Sequence, residues 1–240
     1  MPFLRVMSLV STGTTVIDKL LEGGLEPGVI TTIFGPAGAG KSNLAMLAAV
    51  ATANKGKKVV FIDTEKSISV ERLKQLEPQK YKFLAKNLIV LEPTNFAEQK
   101  SHFRQLQDLA DAEKPSLIVV DSMVMLYRLQ LGSEAPIEVT NREMANQLGT
   151  LSEIARKRNI PVLVTNQVYS DIKTSEIKMV GGDLLKYWSK CIIKLERIDG
   201  IRRAEIWKHR SIKERAEVFF DISDKGLIEM QKPKKKFSLF

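Results

Sequence analysis

The sequence predicts an α/β protein with a mainly parallel, twisted sheet that is flanked by helices and continues into antiparallel strands at its C-terminal edge. Apolar, strand-like runs alternate with helical segments between residues 29 and 165, which is the pattern of βαβ units. Beyond residue 181 the strand-like runs follow one another across short glycine-containing turns, as in hairpins. A chain of 240 residues suits one such domain. We expect a single domain over 1–230, including an N-terminal edge segment at 1–10, and a basic C-terminal tail over 231–240.

The predicted elements of the parallel core follow from hydrophobic patterning. The run 117–121 is apolar up to its last residue, as a strand covered on both faces should be. Apolar side chains recur at helical spacing between 141 and 158, which predicts a long helix. In chain order the predictions are a strand at 29–34, a helix from 43, a strand at 59–63, a polar helix at about 70–86, a strand at 88–91, a helix at 96–112, a strand at 117–121, a helix at 141–158, a strand at 161–165, and paired strands at 190–198 with 202–208 and at 218–222 with 227–230.

A glycine-rich loop with a lysine and a serine lies between the first predicted strand and the first predicted helix. It matches the pattern G-x-x-x-x-G-K-[ST], and the strand–loop–helix context separates a phosphate-binding loop from a chance match. Glycines let main-chain N–H groups converge on an anion, and the helix start adds its unpaired N–H groups. The pattern therefore predicts a nucleoside triphosphate site, with Lys41 at the β- and γ-phosphates and Ser42 as a ligand of Mg²⁺. The loop residues are Gly35, Pro36, Ala37, Gly38, Ala39, Gly40, Lys41 and Ser42.

Composition excludes several other classes of protein. No apolar run approaches the roughly 18 residues that span a bilayer, and the first residues lack the pattern of a signal peptide. One cysteine, Cys191, and two histidines argue against disulfides and His-based metal sites, so we expect a cytoplasmic protein without a membrane partner. The net charge of +9 favours a polyanionic partner, although the lysines of the segment 232–236 account for part of it.

Polar side chains follow three of the predicted core strands. Because ligands gather at the carboxyl ends of parallel strands, we expect Asp121 near the Mg²⁺, where it would contact the metal through a water molecule. An Asp at this position could also simply begin a turn. Glu65 is the first candidate for the base that activates water, with Asp63 as its competitor. Gln167 could sense the γ-phosphate and transmit its loss to the loop at 168–180, or be an ordinary polar loop residue. The segment lacks a guanine-specific N-K-x-D motif, so ATP is preferred over GTP.

Taken in order, these motifs resemble the ATPase core of the RecA/RadA recombinase family. The segments that carry the resemblance are 11–13, 18–25, the phosphate loop, 61–65, 117–122 and 165–168, so it extends from about residue 10 to residue 230. It implies a RecA-like P-loop fold, and the strongest likeness is to an archaeal paralogue that consists of the ATPase core alone. It also places Glu65 at the family's catalytic glutamate and Gln167 at its γ-phosphate-sensing glutamine.

The resemblance suggests roles for three further cations. Arg72 matches a position where archaeal and eukaryotic members stack an arginine on adenine, but it could equally be a cation on a helix surface. Lys208 and Arg210 match basic residues that reach a neighbouring subunit's nucleotide. The same two residues could instead belong to a DNA-facing basic patch with Arg202, Arg203, Lys213 and Arg215.

The resemblance implies ATP and Mg²⁺ as cofactors and DNA, single- or double-stranded, as a partner. Further partners would be recombination or repair proteins such as the main recombinase or a junction-processing nuclease, and a homo-oligomer is possible in this family. The sequence departs from the family pattern in two ways. The core starts so early that we expect no room for an N-terminal DNA-binding domain, and residues 3–6 match the filament-forming peptide only faintly. We therefore expect an accessory protein of homologous recombination and repair with slow ATP hydrolysis. The alternative is a KaiC-like regulatory ATPase that acts through protein contacts without DNA.

Overall fold

The computed structural model describes residues 8–131, 136–170 and 177–233, which form eight helices and ten strands. The helices are α1 (Thr15–Leu20), α2 (Lys41–Asn54), α3 (Val70–Leu76), α4 (Tyr81–Asn87), α5 (Phe96–Glu113), α6 (Met125–Leu131), α7 (Ile137–Arg158) and α8 (Gly182–Trp188). The strands are β1 (Ile30–Gly35), β2 (Val59–Asp63), β3 (Leu88–Leu91), β4 (Leu117–Asp121), β5 (Val162–Ser170), β6 (Ile177–Met179), β7 (Ser189–Ile198), β8 (Ile201–Lys208), β9 (Glu217–Ser223) and β10 (Gly226–Met230).

The strands build one sheet that confirms the predicted fold class. Its order is β10-β9-β8-β7-β1-β5-β4-β2-β3, and β6 pairs with the far end of β5. The six strands from β7 to β3 in this order run parallel, whereas β8, β9 and β10 are antiparallel to their neighbours. The parallel core thus passes into antiparallel strands on the C-terminal side, as the turn signals predicted.

Hydrophobic side chains cover both faces of the sheet. On one face α2 packs in a cluster with α1 and with apolar side chains of β1, β7, β8 and β9. On the other face α5 and α7 pack over β4 and β5. Every residue of β1, β2 and β4 is buried, which explains why these strands are largely apolar up to the aspartates that end β2 and β4. This burial fixes the carboxyl ends of the strands, where the candidate site lies.

The segment at 70–86 differs from the single helix that its polarity predicts. It forms two helices, α3 and α4, separated by a turn that contains Pro78. Proline disfavours a helical conformation of the residue before it, and Glu77 has an extended φ of −141°. The two short helices turn the chain back toward β3.

Four elements were not predicted. Helix α1 precedes β1, α6 follows β4 almost directly, α8 precedes β7, and β5 continues past Gln167 to form a hairpin with β6 instead of ending in a loop. The helix α7 also begins four residues earlier than expected, at Ile137. The filament-peptide segment at 3–6 and the tail beyond residue 233 lie outside the described residues. Among the described helices we find none that is long and apolar enough to cross a bilayer.

Candidate functional site

The phosphate loop connects the end of β1 to the start of α2, as its pattern predicts. Gly40 is the N-cap of α2 with φ 104°, and Gly38 has φ 72°, so both adopt backbone conformations that favour glycine. Gly35 ends β1 for a different reason: a Cβ atom on it would lie 2.3 Å from the carbonyl oxygen of Leu195 in β7. The loop therefore depends on glycine both for its turn and for its close contact with the sheet.

Lys41 begins α2, and its side chain is only 8% exposed. Its Nζ donates to the carbonyl oxygens of Gly35 at 2.9 Å and Pro36 at 3.0 Å. Burial lowers the pKa of Lys41 below its ordinary value, while the nearby carboxylates of Glu65 and Asp121 act in the opposite direction. A partly desolvated ammonium group inside an anion-binding loop interacts strongly with any phosphate that enters.

Asp121 lies at the end of β4 and is completely buried. Its Oδ1 accepts a hydrogen bond from the hydroxyl of Thr165 in β5. Burial raises the pKa of Asp121, the Thr165 hydroxyl and the nearby hydroxyls of Ser67 and Ser42 offset part of this increase, and the charge of Glu65 raises the pKa further. A carboxylate placed in such surroundings would be stabilised by a cation.

The residues around Asp121 fit a magnesium ion. Within the described part of the chain, Asp121 Oδ2 and Ser122 Oγ are buried atoms without a hydrogen-bond partner. The Ser42 hydroxyl lies close enough to Asp121 to lower the pKa of its carboxyl group. Mg²⁺ prefers oxygen ligands and keeps several waters, so one hydroxyl, a carboxylate reached through water and phosphate oxygens form a suitable set.

The structure distinguishes the two candidate bases after β2. Asp63 is buried, and its carboxylate accepts hydrogen bonds from the backbone N–H groups of Glu65 (3.2 Å), Ser67 (3.0 Å) and Ile68 (2.9 Å), and from the Ser67 hydroxyl (3.2 Å). It therefore holds the following turn in shape. Glu65, by contrast, is only partly buried and lines the cleft in front of the phosphate loop.

Gln167 is brought to the phosphate loop by strand register. It pairs with Gly35, the first residue of that loop. Its Nε2 donates to Glu65 Oε1 at 2.7 Å, and its Oε1 accepts from the guanidinium of Arg128 at 2.8 Å. The two predicted functional side chains, Glu65 and Gln167, are therefore in direct contact.

These groups surround a cleft of about 610 Å³. Two arginines in its wall were not predicted there, since Arg128 was not singled out and Arg202 was expected only as part of a DNA-facing patch. Arg202 in β8 donates to the Gly38 carbonyl oxygen at 3.4 Å and pairs with Asp221, and Arg128 projects from α6. The signal that could have found Arg128 is its closeness in the sequence to Asp121, since it lies in the first turn of the helix that follows β4. The lining comprises Ala37, Gly38, Gly40, Lys41, Ser42, Asn43, Glu65, Arg128, Gln167, Val168, Arg202 and Ile222.

Arg72 lies beside the cleft. It is at the start of α3, and its NH2 group donates to Asn43 Oδ1 at 2.8 Å, next to Ser42. Its NH1 group donates to Gln75, which in turn donates to Asp224 Oδ1 at 2.8 Å. This network brings the turn between β9 and β10 next to α3, and the stacking of Arg72 on adenine stays a prediction.

Lys208 and Arg210, which were predicted to act in trans or on DNA, lie apart from the cleft lining. Lys208 Nζ donates to the carbonyl oxygen of Ser189 at 2.9 Å and to that of Lys186, and burial lowers its pKa. Arg210 forms an ion pair with Glu26. Arg203 does not join Arg202 in one basic patch, because successive side chains on a strand face opposite sides. It pairs instead with three carboxylates, those of Glu196, Glu205 and Glu217.

Comparisons with known proteins agree with this geometry. The sequence model of the Rad51 family matches residues 5–230. The DNA repair and recombination protein RadB of Methanococcoides burtonii is 45% identical over 212 residues, covering 88% of this chain and 93% of that protein. RadB of Methanobrevibacter smithii is 42% identical over 219 residues, with 88% and 92% covered.

A solved structure supports the same relationship. The crystal structure of the RadB recombinase has a TM-score of 0.78 to this chain at 34% identity, and the alignment covers 93% of this chain and all of the other. The predicted RecA-like fold is thereby confirmed. The match of the family model over nearly the whole chain, together with relatives well above 30% identity, shows that the chain belongs to the Rad51 family.

Proposed function

We propose that this chain is an ATP- and DNA-binding accessory protein of homologous recombination and DNA repair, which hydrolyses ATP slowly and assists or regulates the main recombinase. The observation that carries the proposal is the contact between Glu65 and Gln167 in front of the phosphate loop. Rad51 and RecA proteins are ATPases of recombination and repair. The family membership therefore favours this function over a KaiC-like regulator that acts without DNA.

The cleft suggests a role for each residue toward Mg²⁺-ATP. Main-chain amides of the loop 35–42 would hold the phosphates, and Lys41 would neutralise part of their charge. Ser42 would ligate the cation, with Asp121 behind it through water. ATP supplies the terminal phosphoanhydride bond that is hydrolysed, and Glu65 would orient water and accept its proton.

Slow hydrolysis is supported by the contacts of the groups that would act. The Glu65 carboxylate accepts the Gln167 amide, and the Lys41 ammonium group donates to two carbonyl oxygens of its own loop. Both groups must exchange these partners before they can serve water or phosphate. Each exchange adds to the barrier, and about 1.4 kcal/mol corresponds to a tenfold change in rate.

DNA binding through phosphates predicts a steep dependence on salt. The chain has a net charge of +9, and each phosphate contact that releases a counterion contributes a slope of about −0.9 to log K against log salt for duplex DNA. We expect the association constant, measured by fluorescence anisotropy between about 50 and 200 mM salt, to fall at least tenfold. An affinity that stays constant over this range would contradict the proposed mode of DNA binding.

ATP turnover with and without DNA separates the two functions. A DNA-controlled accessory ATPase should change its turnover when single- or double-stranded DNA is added. Identical turnover in the presence and absence of DNA, in a closed ring of subunits, would favour the KaiC-like alternative. The accessory role is tested by adding the chain to a strand-exchange reaction of the main recombinase, where it should alter the rate although it does not catalyse exchange alone.

A further inference from the structure

Three side chains from separate parts of the chain form a continuous hydrogen-bonded series at the cleft. Arg128 of α6 donates to Gln167 Oε1 at 2.8 Å, and Gln167 of β5 donates through Nε2 to Glu65 Oε1 at 2.7 Å. All three residues line the cleft that also contains Lys41 and Ser42. Arg128 thus contacts the γ-phosphate-sensing candidate on the side opposite Glu65.

The chemistry of the three groups permits one orientation of the Gln167 amide. A guanidinium group can only donate hydrogen bonds, and an ionised carboxylate can only accept them. The amide between Arg128 and Glu65 must therefore direct its oxygen to the arginine and its nitrogen to the glutamate. If the amide group of Gln167 rotated by 180°, its oxygen would face the carboxylate of Glu65, which is also an acceptor, and its nitrogen would face the guanidinium of Arg128, which is also a donor.

The backbone of Arg128 is held in place by its neighbours in α6. Leu126 and Tyr127 are buried against the layer formed by α5 and α7. The Tyr127 hydroxyl donates to Asn141 Oδ1 at 2.5 Å, and the Arg128 N–H donates to the Val124 carbonyl oxygen at 3.0 Å. The guanidinium group consequently extends from a fixed base, as a group that orients another side chain must.

We propose that Arg128 is a positioning residue of the hydrolytic site, which fixes the amide nitrogen of Gln167 toward Glu65 and the phosphate side of the cleft. This inference rests on the roles proposed above for Gln167 and Glu65. Arg128 acts through Gln167. Replacing Arg128 should therefore lower ATP turnover only to the extent that turnover depends on the orientation of the Gln167 amide. A lysine at this position keeps a donor-only cation and should preserve part of the effect.

The direct test observes the Gln167 amide without nucleotide. In ¹H–¹⁵N spectra of the protein alone, the Gln167 NH₂ signals are assigned by their loss in Gln167→Leu. Arg128→Met should shift these signals and speed their exchange with water, Arg128→Lys should shift them less, and Arg104→Met, at an exposed arginine of α5, should leave them unchanged. Unchanged Gln167 signals in a folded Arg128→Met protein would overturn the proposal, whether or not the protein hydrolyses ATP.

Steady-state kinetics provide the second readout. Arg128→Met should lower kcat about tenfold, the size expected for losing one charge-assisted hydrogen bond, with KM for ATP within about twofold. The double variant Arg128→Met/Gln167→Leu should be no slower than Gln167→Leu alone. Losses that multiply in the double variant, or a change confined to DNA affinity, would show that Arg128 acts independently of Gln167 and would refute the proposal.

Discussion

At the scale of single residues, the candidate site places ionisable groups in unfavourable surroundings. Asp121 is completely buried with one carboxylate oxygen lacking a partner, and Lys41 is partly desolvated. Both would gain favourable interactions from a magnesium ion and phosphates. The two groups therefore reduce the stability of the protein alone in favour of binding, which is a common trade-off at functional sites.

The buried charge of Asp121 destabilises the folded protein, and this leads to a prediction about stability. Asp121→Asn removes a buried charge and should raise the free energy of unfolding at pH 7 by about 1 kcal/mol, while it weakens Mg²⁺-dependent ATP binding. Denaturation with urea measures the first effect. The exposed residue Asp108 provides the control, since Asp108→Asn should change stability by less than about 0.5 kcal/mol.

The same carboxylate predicts a dependence on pH. Burial raises the pKa of Asp121 in the folded state, so between the ordinary aspartate value of about 3.9 and the raised value the native state binds more protons than the unfolded state. The contribution of Asp121 to stability is therefore fully present below about pH 3.9 and is lost as the pH rises through the folded-state pKa. Asp121→Asn should lack this decrease. Parallel pH profiles for the two proteins would contradict the assignment.

The proposed role of Glu65 as the general base leads to a prediction about ATP hydrolysis. Glu65→Gln should retain ATP binding and lower kcat by a factor of about 10² to 10⁴, the usual contribution of a general base. Glu71→Gln, at an exposed position in α3, is the matched control and should hydrolyse ATP normally. Lys41→Ala should instead abolish nucleotide binding, as measured by calorimetry. Unchanged turnover in Glu65→Gln would remove this residue from the role of base.

Some residues of the cleft could be predicted from the sequence and others could not, and the difference lies in how each residue reaches the cleft. Lys41 and Ser42 follow from a contiguous motif, and Asp121 from its position at the end of a buried strand. Arg128 and Arg202 enter from elements with no fixed spacing to that motif, so only the folded arrangement, with β8 in the sheet and α6 packed on α5 and α7, brings them near. The competition between Asp63 and Glu65 likewise depends on hydrogen bonds that no spacing reveals.

At the scale of elements, the site depends on the contact between β1 and β7. The end of β1 approaches β7 so closely that no side chain fits at Gly35. The strands of the parallel core were readily predicted, because buried parallel strands appear in the sequence as nearly continuous apolar runs. The short helices α6 and α8 were not predicted, since seven residues give too little periodicity to separate a helix from a loop.

Gly35→Ala tests the contact between the two strands. The added Cβ would meet the Leu195 carbonyl oxygen at 2.3 Å, so the backbone must shift, and we expect a loss of more than about 2 kcal/mol in the free energy of unfolding. Gly200→Ala is the matched control: Gly200 has φ 87° but no atom within 4 Å of a Cβ, so it should lose only about 1 kcal/mol. Equal losses in urea denaturation would argue against the close approach.

At the scale of the whole molecule, several cations of the described residues are engaged by other groups of the protein. Arg128 and Arg202 point into the nucleotide cleft, whereas Arg203 is neutralised by carboxylates and Arg210 pairs with Glu26. Lys232, in the basic segment predicted as a tail, pairs with Glu217 at 2.6 Å. The net charge therefore overstates the number of cations that can meet DNA, and the salt dependence of DNA binding measures how many do.

The most direct test of the nucleotide site is a crystal structure grown with Mg²⁺ and a non-hydrolysable ATP analogue. We predict that the phosphates lie along the main-chain amides of 35–42, with the cation beside Ser42 and Asp121. Glu65 and the Gln167 amide nitrogen should face the terminal phosphate. Phosphates bound elsewhere, or a terminal phosphate out of reach of both side chains, would contradict the proposed mechanism.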